Sequence, residues 1–139
     1  QVIPFGDTFT ALQQGTIDGQ ENTFNNIDTQ NYADVQKYLL ISEHGRIDYV
    51  VLTNANWYNS LPEDIRSALD EAMAESTEYE RQLAVELDEA SKENLMNTNL
   101  EVITLSPEER EKFVEKMEAV YKEFEDEIGK ELIEAVRNL

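Results

Sequence analysis

A chain of 139 residues with 40% apolar residues and no cysteine is one domain's worth of polypeptide, with a modest core and neither disulfides nor Cys-ligated zinc. Its 30 acidic residues outnumber 11 basic ones, for a formal charge of −19. Nucleic-acid phosphates and anionic lipid are therefore poor partners, repelled over a screening length of about 8 Å. No run approaches the roughly 18 apolar residues of a membrane span, and a start at Gln1 in place of Met predicts a cut or processed chain.

Val2-Ile3 reads as a short strand remnant stopped by Pro4. Asp7 is placed to cap a helix through about Gln14, which Gly15 ends in the left-handed conformation. Residues 16–22 form a polar loop or short strand. A helix over roughly 23–32 would set Phe24, Ile27 and Asn31 along one side. The β-branched and aromatic runs 38–41 and 47–53 read as two strands. Ser60-Leu61-Pro62-Glu63 predicts a helix start, with Ser60 at the cap, Pro62 just inside and an acid three residues on. Ile65, Leu69, Ala72, Ser76, Tyr79, Leu83, Leu87 and Ala90 then keep helical spacing. No Pro or Gly intervenes until Asn97-Thr98-Asn99, so one helix spans about 62–97.

A helix of that length measures on the order of 52 Å, whereas a compact domain of this size has a radius of gyration near 14 Å. The helix must overhang its own domain, and its far end near 94–98 is expected to fray unless another chain covers it. Residues 101–105 read as a short strand. Ser106-Pro107-Glu108-Glu109 repeats the capping pattern before a helix with Phe113, Met117, Val120, Tyr121 and Phe124 on one stripe. Gly129 breaks that helix, and 131–139 forms the last one, with Leu132, Ile133 and Val136 expected to be buried. The fold class is α/β and helix-rich. Residues 1–56 carry 7 acids and 2 bases, and residues 57–139 carry 23 and 9. No repeat or linker separates these halves, so 1–139 reads as a single unit.

The stretch Pro4-Phe5-Gly6-Asp7-Thr8-Phe9-Thr10-Ala11-Leu12-Gln13-Gln14-Gly15-Thr16-Ile17-Asp18-Gly19-Gln20-Glu21-Asn22 resembles the signature of the solute-binding proteins of TRAP transporters, the DctP-like periplasmic receptors for small organic acids. Asp34-Val35-Gln36-Lys37-Tyr38-Leu39, Ser42-Glu43-His44-Gly45, Trp57 through Asp64, Leu105 through Arg110 and Asp126 through Lys130 follow in family order. The resemblance implies the carboxy-terminal portion of a two-lobed fold crossed by a long spanning helix. It implies capture of a small carboxylate and delivery to TRAP membrane permease subunits. It implies a periplasmic location, no cofactor and no enzymatic activity.

It also implies an arginine, upstream of Gln1, that clamps the carboxylate through its planar fork. Neither Arg46 nor Arg66 sits at the matching position. Asn22 maps onto the asparagine that assists substrate binding, and Phe5 onto the aromatic that packs against the ligand. The next position is often a small polar donor, but here it is Gly6, so any contact from it comes from backbone.

Each of these residues also has a plainer reading. Asn22 follows Gly19 and fits a turn. Phe5 fits a core position. Asn26 lies one helical turn beyond Asn22 and either shares the binding face or is solvated. His44, the sole histidine, is read as a structural or second-layer residue that orients the cleft through a hydrogen bond. Glu21 is expected to point away from an anion site or to pair with a base, and Trp57-Tyr58 to be core under the long helix. The acidic runs 108–111 and 123–127 read as solvated faces, partly paired with Arg110, Lys112 and Lys130. No acidic spacing matches a metal loop. Ser60 and His44 have no third member for a nucleophile system. The rival reading is a helical module that self-associates through the surface left by a missing lobe, with no ligand.

Overall fold

The computed structural model describes residues 1–138. In chain order they form α1 (Thr8–Gln13), α2 (Phe24–Thr29), β1 (Tyr38–Ile41), α3 (Ala55–Ser60), α4 (Glu63–Met96), β2 (Glu101–Thr104), α5 (Pro107–Ile128) and α6 (Lys130–Arg137), with short 3-10 turns at Phe5–Asp7 and Tyr32–Asp34. β1 and β2 make a two-stranded sheet. The chain resolves into two compact units, one of residues 1–39 and 46–101 and the other of 40–45 and 102–139.

The first unit holds the core: Leu12, Ile27, Tyr32, Leu39 and Leu95 are buried, with Thr8 and Ser91. α1 ends as its sequence predicts. Gly15 takes φ +68°, its N–H donates to the Leu12 carbonyl, and the Thr16 N–H reaches back to Ala11 at 2.9 Å. That pair of bonds satisfies the last carbonyls of the helix and requires a residue tolerant of positive φ. The start of α1 differs from the expected cap. The Asp7 side chain makes no capping bond, because a 3-10 turn already supplies the entry and the Thr8 hydroxyl donates to the Pro4 carbonyl instead, at 3.4 Å.

α2 is shorter than the 23–32 pattern implies. The Thr23 hydroxyl caps it by accepting from the Asn26 N–H, and Asn31 sits beyond its end at φ +55°. No strand forms at Val2-Ile3 or over 47–53. β propensity expresses itself only where a neighbour takes up the ladder bonds and the side chains pack, and Tyr49 through Leu52 are exposed.

α4 runs over 34 residues, about 51 Å at 1.5 Å per residue. Its start also differs from the sequence pattern. Ser60 belongs to α3, where its hydroxyl donates to the Trp57 carbonyl at 2.7 Å, and Pro62 takes the cap position without a side-chain bond. The Tyr58 hydroxyl donates to Asp70 at 2.6 Å, a bond that raises its pKa above the ordinary tyrosine value. Trp57 is 51% exposed and not core. The unburied apolar stripe of α4 includes Ile65, Leu69, Tyr79 and Leu87. Its carboxy-terminal end is the anchored one: Leu95 is 1% exposed, and the Thr98 hydroxyl closes the end on the Leu95 carbonyl at 2.6 Å. The expectation of fraying at 94–98 is thus reversed, because α2 covers that end from within the same unit.

In the second unit Ser106 and Glu109 form the reciprocal capping box that the sequence predicts, with the Ser106 N–H donating to Glu109 at 2.8 Å and the Glu109 N–H to Ser106 at 3.2 Å. Gly129, at φ +95°, separates α5 from α6. The two helices are joined by an ion pair between Arg137 and Glu118, and Arg137 also lies 5.3 Å from the Tyr121 ring centre. Leu132 and Val136 are exposed rather than buried, as are Phe113, Met117 and Phe124. A hairpin of two helices has too few neighbours to bury both apolar stripes. Arg110 pairs with Glu43 at 3.3 Å and also donates to the Ser42 and Glu43 carbonyls. That holds the bend where Glu43 adopts φ +46°. Lys130 pairs with Glu134 at 3.8 Å.

Candidate functional site

Residues 16–23 are irregular and lead into α2. The Thr23 cap fixes the first turn, since its hydroxyl takes the Asn26 N–H at 3.3 Å. Asn22 lies just before the cap and Asn26 one turn inside, so their side chains meet. The Asn26 amide donates to Asn22 Oδ1 at 2.8 Å, and the Asn22 amide donates to Gln20 Oε1 at 3.0 Å. All three side chains are half-buried. A carboxamide has two N–H donors, and each asparagine spends one in these bonds. The second N–H of each remains for a ligand oxygen, presented by a chain of polarised amides that adds no charge.

The helix under this pair is held from α4. The Asn25 N–H donates to Asp88 Oδ1 at 3.0 Å and the Asn25 side chain to the buried Ser91 hydroxyl at 3.3 Å. Asn94 donates to Asp28 at 3.0 Å, and the Lys92 ammonium lies 5.3 Å from the Phe24 ring centre. None of Asn25, Asp88, Ser91 or Asn94 stands out in the sequence as a site residue. A signal existed: Asp88, Ser91 and Asn94 recur every three residues inside a long helix, and all three are residue types that favour caps and turns over helix interiors.

Phe5 and Gly6 lie on the 3-10 turn before α1. Phe5 is 48% exposed, so it is available to a ligand and is not part of the core. Gly6 is exposed, and a Cβ added there meets nothing within 4 Å. His44 belongs to the second unit, where its Nδ1 shares a 2.6 Å hydrogen bond with the Ser42 hydroxyl. Glu21 is exposed. Among the described residues no group of acids and His could hold a metal ion, and no helix is long and apolar enough to cross a membrane.

The model of the bacterial extracellular solute-binding protein family 7, DctP, matches residues 1–127. The C4-dicarboxylate-binding periplasmic protein DctP of Vibrio cholerae is 36% identical over 135 residues, which are 97% of this chain and 41% of the relative. A TRAP periplasmic solute-binding protein of Shewanella oneidensis, solved with bound succinate, superposes with a TM-score of 0.90 at 40% identity over 96% of this chain and 44% of its own. One from Pseudomonas aeruginosa, solved with bound L-malate, does so at 0.83 and 27% identity over 88% and 43%. The chain therefore spans about two fifths of the length of the relatives it matches.

Proposed function

The chain belongs to the bacterial extracellular solute-binding protein family 7, and we propose that it is the ligand-contacting portion of a periplasmic receptor that captures a small organic acid for a TRAP permease. The observation that carries this reading is the joined amide pair Asn22–Asn26, with an N–H of each uncommitted, in which Asn22 holds the position that the family resemblance assigns to substrate binding. C4 dicarboxylates are the ligand class favoured, by the succinate and L-malate bound in similar structures. Phe5 supplies apolar area against the ligand's carbon chain, and Gly6 offers backbone only. His44 orients its own segment through Ser42. The role is that of a binder that hands on its solute unchanged, without a cofactor.

The test is calorimetric titration of the full-length receptor carrying these residues with succinate, beside its Asn22→Ala variant. A hydrogen bond to a charged group contributes about 1.5–3 kcal/mol, so the variant should bind at least tenfold more weakly at unchanged fold. Equal affinity in the two proteins removes Asn22 from the site and the reading with it.

A further inference from the structure

Asp88 stands on α4, 66 residues along the chain from Asn22, yet its carboxylate accepts the N–H of Asn25 at 3.0 Å. Asn25 lies between the two amides of the candidate site. The backbone segment from Asn22 to Asn26 thus has two fixings: the Thr23 hydroxyl on the Asn26 N–H and Asp88 on the Asn25 N–H. Both N–H groups belong to the first turn of α2, where no helical carbonyl can take them. The local cap can satisfy only one, and Asp88 satisfies the other from outside.

The neighbouring bond from Asn25 to the buried Ser91 hydroxyl makes the attachment two-pointed. It resists rotation of α2 about its own axis as well as separation. Rotation is the motion that matters, because the Asn22–Asn26 bond connects a residue outside the helix to one inside it. A turn of α2 by a few tens of degrees would break that bond and redirect the free N–H of each amide.

We propose that Asp88 is a positioning residue, which sets the aim of the Asn22–Asn26 amide pair by pinning the first turn of α2 to α4. This rests on the ligand-binding reading of Asn22. It adds that the acid-binding amides are oriented by the long helix as well as by their own loop. Asn94 makes a comparable bond to Asp28, but farther along α2, beyond the amide pair. It shares the burden of holding the helices together without fixing the first turn, so it serves as the control.

The experiment has a ligand-free arm and a succinate arm. In the 139-residue chain, Asp88→Ala should shift the Asn26 side-chain NH2 resonances and speed exchange of the Asn25 N–H by at least tenfold. Asp88→Asn, which retains an acceptor oxygen, should restore both, and Asn94→Ala should leave both near the parent values. In the full-length receptor, succinate affinity should fall about tenfold in Asp88→Ala and recover in Asp88→Asn. If Asp88→Ala does not fold, Asp88→Glu displaces the carboxylate by one methylene and should give the same pattern at smaller amplitude. The pin is overturned if Asn94→Ala reproduces the spectral changes, or if neither Asp88 substitution moves the Asn26 signals. A parent receptor that ignores succinate while the Asn26 signals still follow Asp88 overturns the ligand reading and leaves the pin standing.

Discussion

Tyr32 is completely buried, yet its hydroxyl has no hydrogen-bonding partner among the described residues. A buried donor left unsatisfied costs about 1–3 kcal/mol, while the ring itself fills the centre of the first unit. Tyr32→Phe should therefore leave the urea midpoint unchanged or raise stability by about 1 kcal/mol, and a loss of that size would show that the hydroxyl is bonded. Glu109 illustrates the opposite case. Its carboxylate accepts the Ser106 N–H and neighbours the Ser106 hydroxyl, and these bonds, in that order, hold its pKa below the ordinary glutamate value. A folded-state pKa lower than the unfolded one means stability that is present above the ordinary glutamate range and lost as pH falls through the lowered value. The gap in urea midpoint between the parent and Glu109→Gln should thus be open at neutral pH and closed in acid. A gap that does not change with pH would show that the charge plays no part. Both capping-box residues were legible in the sequence, because the motif is local. The Tyr32 environment was not, because nothing in a neighbouring tripeptide says where a side chain will end up.

Among the elements, α4 divides into two regimes. Its last turns are tied to α2 by Asp88, Ser91 and Asn94 and end on the buried Leu95. Its earlier turns carry exposed apolar side chains, Tyr79 at 67% among them. Helical stability comes mainly from packing of an apolar face, since propensity alone leaves isolated helices marginal. Amide exchange should consequently be slow over residues 88–96 and faster by orders of magnitude over residues 66–80, outside the Tyr58–Asp70 tether. Uniform protection along the helix would contradict this division. Periodicity and the absence of Gly or Pro revealed the length of α4 correctly. They misplaced its stable end, because a stripe of apolar residues does not say which part of it has a neighbour. Residues 47–53 failed for the same reason, a strand pattern with no strand beside it.

At the scale of the whole molecule, charge and extent govern what the chain can do alone. Its amide pair offers neutral donors, and a dicarboxylate approaches a polypeptide of charge −19. Two hydrogen bonds of about 1.5–3 kcal/mol each, less the cost of immobilising the ligand, leave affinity no tighter than millimolar. Titration of the 139-residue chain with succinate should show no tight binding, and micromolar affinity would mean that these two amides are not the whole site. Relatives more than twice as long have been solved with succinate or L-malate in place, and the additional length in them is where further contacts have room to arise.

Short-range chemistry was readable from residue order alone: the Gly15 and Gly129 breaks, the Ser106 box, the uninterrupted run of α4, and a motif series specific enough to place the chain in its family. Folding in three dimensions was needed to settle which face of α4 is covered, which strand patterns pair, and that Asp88 reaches Asn25 across more than sixty residues of chain. Caps and turns are satisfied by atoms a few residues away, so their partners travel with them in the sequence. Burial and long-range hydrogen bonds depend on which surfaces meet, and that is settled only when the whole chain has folded.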